Sequence, residues 1–171
     1  MKQKSILIPL PSYGFDPSEA AIPWKLLTKN NFKITFATPQ GTKAAADTIM
    51  LTGKRLGILK PVLMAGKDAL VAYREMENSE EFRNPIKYSD AKEEDFDGLL
   101  LPGGHDKGVK EYLESEILQK LAVHFFNKNK PVAAICHGLV LLARSVHPDT
   151  GKSVLYNYKT TSLLQSQELM A

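Results

Sequence analysis

Cys136 is the only cysteine of the chain, and it stands in Ala134-Ile135-Cys136-His137-Gly138. Small or apolar residues at 131–135 lead into it, and Leu139-Val140-Leu141-Leu142-Ala143 follows. That pattern reads as a buried strand turning sharply into a helix, with a nucleophile on the turn. A thiol so placed projects from the carboxyl edge of the sheet, where open α/β folds bind ligands. The amino end of a helix favours negative charge, and with it the thiolate, the reactive form of cysteine. Ala134 and Gly138 are small enough to let strand and helix approach closely.

Two further segments carry chemistry-bearing groups. Leu101-Pro102-Gly103-Gly104-His105 ends an apolar run; by itself it is a Pro-Gly turn. Opposite a thiol, the amides of Gly103 and Gly104, together with that of His137, become candidates for holding an oxyanion. Asp16-Pro17-Ser18-Glu19 reads as a helix start, with Asp16 as N-cap, Pro17 at the first helical position and Glu19 closing a capping box. Glu19 would then lie at the same sheet edge, able to hydrogen-bond the thiolate or exchange a proton with substrate. The candidate catalytic set is therefore Cys136, His137 and Glu19, with Gly103 and Gly104 as backbone donors. His124 and His147 have no comparable context and read as surface residues. Histidines this scattered, with one cysteine, argue against a metal site, and no cofactor is expected.

Positioning such groups requires a particular scaffold. Apolar runs at 5–10, 33–38, 96–101 and 131–135 alternate with helical patterns at 18–30 and 109–127, the signature of βαβ units and a parallel sheet. The runs do not alternate polar with apolar, as expected for strands covered on both faces. In the long helix, Leu113, Ile117, Leu121 and Phe125 recur every four residues and should form its buried stripe. The expected fold is a three-layer α/β/α sandwich with a mainly parallel, flavodoxin-like doubly wound sheet. Residues 1–171 read as one domain. Residues 44–95 read as an irregular insertion or lid, with a helix over 69–77 and a loop over 80–85. A helical pattern at 162–171 starts and stops, so a C-terminal helix covering the last strand is expected to be missing.

At 171 residues the chain is long enough to bury a core without disulfides. Its net charge of +3 is spread along the sequence rather than gathered into a basic stripe, which argues against nucleic acid as a partner. No apolar run approaches the roughly 20 residues needed to cross a bilayer, so no membrane partner is expected. One cysteine cannot form an internal disulfide, which points to a reducing cytoplasm.

Taken together, Leu101-Pro102-Gly103-Gly104-His105, Ala134-Ile135-Cys136-His137-Gly138 and the Glu19 segment resemble the ThiJ/PfpI family, within the class I glutamine-amidotransferase-like superfamily. The resemblance runs from the first strand to about Thr161. It implies that Cys136 is the nucleophile, that Glu19 assists its acidity, and that His137 takes the family histidine's place. It implies a small-molecule substrate and a homodimer. Family members include glutathione-independent glyoxalases, deglycase-like proteins, holding chaperones and intracellular peptidases. The insertion at 44–95 resembles the larger chaperone–glyoxalase branch. A third acid, present in several of those proteins, is replaced here by Gln165, and no Asp or Glu occurs between Gly151 and Gln167. The resemblance thus implies a cysteine-dependent enzyme acting on small reactive carbonyls. A stress-response chaperone or peroxide sensor, and a glutamine-amidotransferase-like hydrolase, are the alternatives.

Overall fold

In a computed structural model of the chain, residues 3–54, 57 and 64–161 are described. The helical pattern at 162–171, and Gln165 with it, lies outside them. Five parallel strands make the main sheet: β1 (Ser5–Pro9), β3 (Lys33–Thr38), β5 (Ile86–Lys87), β6 (Gly98–Leu101) and β7 (Val132–Ala134). Their spatial order is β5-β3-β1-β6-β7. From β1 the chain first builds outward through β3, then crosses to β6 and β7 on the other side. The switch point between β1 and β6 is where such sheets open a crevice at their carboxyl ends. A small second sheet pairs β2 (Tyr13–Phe15) with β4 (Ala45–Ala46).

Strand side chains alternate between two cores, as the pleat requires. Leu7, Leu99 and Leu101 face one core, while Ile8 and Leu100 face the other. Helix α1 (Pro17–Lys29) brings Ala20, Ala21 and Trp24 to the second core, and α3 (Lys67–Asn78) brings Ala72, Tyr73 and Met76. A short helix, α2 (Thr48–Thr52), precedes α3. On the opposite face lie α5 (Val109–Leu113), α6 (Glu116–Asn127) and α7 (Gly138–Arg144). The three-layer sandwich is thus present.

Three local expectations need correction. The helix expected over 109–127 is two helices, because Ser115 leaves the helical region and its hydroxyl accepts from the Leu118 amide, capping α6 anew. This break shifts the stripe: Leu118, Leu121, Ala122 and Phe125 are buried, whereas Ile117 is 48% exposed. The loop expected over 80–85 contains a helical turn, α4 (Glu80–Arg83), capped by the Ser79 hydroxyl and anchored by buried Phe82. Four residues are too few to show a 3.6-residue period. Finally, β7 is less buried than its apolar run suggests: Val132 and Ala134 are half-buried and Ala133 is exposed.

The described residues at 64–95 contribute to the core. They supply the edge strand β5 and buried Ala69, Ala72, Tyr73, Met76, Phe82 and Tyr88. The Tyr88 hydroxyl donates to the Leu10 carbonyl, tying the segment to the end of β1. Nearby, the wholly buried Tyr112 hydroxyl has no hydrogen-bond partner among the described residues. An unsatisfied buried hydroxyl costs about 1–3 kcal/mol. Tyr112→Phe keeps the ring and removes that cost, so it is expected to raise stability by about 1 kcal/mol in urea unfolding.

Candidate functional site

Three chain segments meet at the carboxyl edge of the sheet around the switch point. The first turn of α1 contributes Glu19, the loop after β6 contributes Gly103, Gly104 and His105, and the turn after β7 contributes Cys136 and His137.

Asp16 caps α1 as expected, its carboxylate accepting from the Ser18 and Glu19 amides, with Pro17 in the first turn. Glu19, however, closes no capping box. Its Oε2 accepts instead from the Gly103 amide at 2.7 Å, and the Asp16 amide donates to the Gly103 carbonyl at 2.9 Å. One residue thereby clamps the β6 loop to the start of α1 from both sides. A methyl group on Gly103 would stand 2.6 Å from the His137 amide nitrogen and 3.0 Å from Glu19 Oε2, so only glycine fits between acid and elbow. The Gly103 amide is therefore committed to Glu19 rather than to an oxyanion. Gly104 takes φ +148°, a conformation that glycine alone adopts readily, and turns the chain outward into His105.

The elbow itself is strained. Cys136 has φ +50°, a left-handed conformation that costs an L-residue roughly 1–2 kcal/mol. Such strain persists where the surroundings over-determine it, and it clusters at functional sites. Here β7 pairing ends at Ala134, the Ile135 amide donates to the Leu101 carbonyl, and α7 must start at once. The half-buried thiol lies 3.4 Å from His137 Nδ1 and 3.9 Å from His105 Nε2. It also shares a hydrogen bond with the Glu19 carboxyl group. The two imidazoles stack edge to face, with centroids 4.7 Å apart. Neighbouring side chains normally diverge; the left-handed turn brings those of Cys136 and His137 together.

Burial raises the Glu19 pKa above the ordinary carboxyl value, and the Asp16 carboxylate adds to the rise; the Gly103 amide, the Cys136 thiol and His105 act in the opposite sense. An acid that keeps its proton longer can donate to a neighbouring thiolate. Folding therefore favours the neutral carboxyl, which costs stability once the pH exceeds the folded pKa. That cost vanishes as the pH falls below the unfolded value of about 4.3. Glu19→Gln, neutral at every pH, is expected to melt higher than the native chain at pH 7. The gain should shrink on acidification, as differential scanning calorimetry at several pH values would show.

The structure thus gathers Cys136, His137, Glu19, Gly103 and Gly104, all of them expected at one edge. It adds His105, which carried no role in the sequence reading although it directly follows the two glycines. Its position after a Gly-Gly pair at a strand's carboxyl end was the available signal. His105 is exposed at the rim of the site. The histidines that look scattered in sequence are also less so in space. His105, Cys136 and His137 place one donor atom each within 4.8 Å of one another, close enough to hold a metal ion. Dispersion along the sequence is therefore not dispersion in space for these two histidines.

Comparison with known proteins matches the chain as a whole to a family model. A family model described as ThiJ/PfpI family-like matches residues 10–170. An uncharacterised protein of Schizosaccharomyces pombe is 33% identical over 138 residues, 80% of this chain and 49% of that protein. A glutathione-independent glyoxalase of the same yeast is 26% identical over 157 residues, 91% of this chain and 62% of that protein. The crystal structure of glyoxalase III from Candida albicans superposes with a TM-score of 0.68 at 25% identity, over 89% of this chain and 64% of that one. The chain spans about half to three-fifths of the length of these curated relatives.

Proposed function

The chain belongs to the ThiJ/PfpI family, and from that premise we propose that it is a cofactor-independent enzyme of glyoxalase or deglycase type, acting on small reactive carbonyls through Cys136. The observation that carries this reading is a thiol on a strained elbow, within reach of a carboxyl group and two imidazoles. Two relatives named as glyoxalases support the substrate class.

With methylglyoxal, the Cys136 thiolate adds to the aldehyde carbon, and the carbonyl oxygen takes a proton to give a hemithioacetal. During addition the oxyanion is held by the Gly104 and His137 amides. A base then removes the proton on the former aldehyde carbon, and the proton returns at the neighbouring carbon, leaving lactate bound as a thioester. Glu19 is placed for that transfer, with His137 or His105 as its partner. Water cleaves the thioester and regenerates the thiolate. The sum is one methylglyoxal and one water to one lactate, without oxidant, reductant or glutathione.

The test is lactate production by the purified chain given methylglyoxal and no added thiol. Lactate forming above the uncatalysed rate is the expected result; a rate equal to that of buffer alone overturns the reading.

A further inference from the structure

We propose that His105, Cys136 and His137 form a three-ligand site for Zn2+, and that the ion on binding withdraws the Cys136 thiol from reaction. The ligand assignment stands apart from the reaction; only its inhibitory consequence rests on the proposed function.

The distances carry the assignment. Zn–S bonds of about 2.3 Å and Zn–N bonds of about 2.0–2.1 Å at tetrahedral angles put sulfur and nitrogen about 3.6 Å apart. The thiol stands 3.4 Å from His137 Nδ1 and 3.9 Å from His105 Nε2, on either side of that edge length. All three donor atoms fall within 4.8 Å of one another. The two sulfur–nitrogen edges therefore lie within a few tenths of an ångström of the ideal, and rotation of the exposed His105 side chain can close the nitrogen–nitrogen edge, which is about 3.4 Å in a tetrahedral site. One thiolate and two imidazoles are soft to borderline donors, the set that selects zinc over calcium or magnesium. Three protein ligands with the exposed His105 at the rim leave the fourth vertex to water, as in open zinc sites.

Two features of the fold bring the three ligands together. The left-handed φ of +50° at Cys136 lets residues adjacent in sequence chelate one ion. Gly104, at φ +148°, supplies the turn from which the third ligand arrives. Binding requires His137 to carry its proton on Nε2 and His105 on Nδ1, so that the facing nitrogens offer lone pairs. The thiol binds as thiolate, its proton leaving to solvent.

The experiment starts from chain stripped with EDTA and titrated with Zn2+ against a colorimetric chelator, then with Co2+ as a spectroscopic substitute. We expect one ion per chain and a sulfur-to-cobalt charge-transfer band in the near ultraviolet. Cys136→Ser should abolish the band. His105→Ala and His137→Ala should each weaken zinc at least about tenfold, whereas His124→Ala should not. Because variants can fail to fold, the native chain supplies a second readout. Iodoacetamide should label Cys136 more slowly with zinc, and EDTA should restore the rate. Absence of the band, zinc affinity indifferent to Cys136→Ser and His105→Ala, or unchanged labelling overturns the site. Zinc protection in a chain that makes no lactate would overturn the glyoxalase reading alone.

Discussion

The Cys136→Ala variant is expected to form lactate from methylglyoxal at least about 10³-fold more slowly than the native chain, since a nucleophile removed from a concerted set takes most of the chemistry with it. Its folding should change little. Alanine at position 136 inherits the φ of +50° and its strain, and loses only a half-buried sulfur. The companion variant Cys136→Gly isolates the strain: it should be more stable than Cys136→Ala by about 1 kcal/mol, because glycine enters the left-handed region without that cost. Urea unfolding of both, beside a coupled lactate assay, checks the two halves of the prediction. Lactate formation undiminished in Cys136→Ala would remove the thiol from the mechanism. Equal stability of the two variants would mean that the elbow stores no strain.

Gly138→Ala is expected to cost the fold more than about 3 kcal/mol. A methyl group there would overlap the Leu101 carbonyl oxygen, and would lie 2.9 Å from the Leu101 carbonyl carbon and 3.1 Å from the Pro102 oxygen. These are backbone atoms at and just after the end of β6, where Leu101 pairs with Ala134 of β7 and its carbonyl accepts from the Ile135 amide, so they cannot rotate aside. Alanine's better helix propensity, worth about 1 kcal/mol, is too small to offset the clash. Gly66→Ala provides the contrast. A methyl group on Gly66 meets no atom within 4 Å, and its effect should stay within about 1 kcal/mol. The damage at position 138 should also reach the chemistry, since displacing α7 from β6 moves the Cys136–His137 turn away from Glu19 and His105.

Much of this molecule was legible in linear order. The buried strands announced themselves because a parallel sheet covered by helices needs continuous apolar runs, and Lys33–Thr38 has the bounds expected of it. The elbow was legible because a strand, a turn residue and a helix follow one another without a gap, so Cys136 had one place to go. The Asp16 cap is equally local, its carboxylate bonding amides two and three residues away.

What the tertiary structure decided concerns groups whose partners lie far along the chain. Glu19 reads locally as the second half of a capping box, yet its carboxylate crosses to Gly103, 84 positions away. Nothing in a helix-start pattern records which loop packs against it. His105 looks like the end of a Pro-Gly turn until the pairing of β6 with β7 sets it beside Cys136. Burial of α6 followed a cap at Ser115 that shifted the stripe, because cap and core compete and the core's position is a three-dimensional fact. The thiol that the elbow motif singled out was thus determined by sequence alone. Its neighbours, a carboxyl group and two imidazoles close enough to share its proton or an ion, were set by the register of parallel strands and by the glycines that let their loops touch.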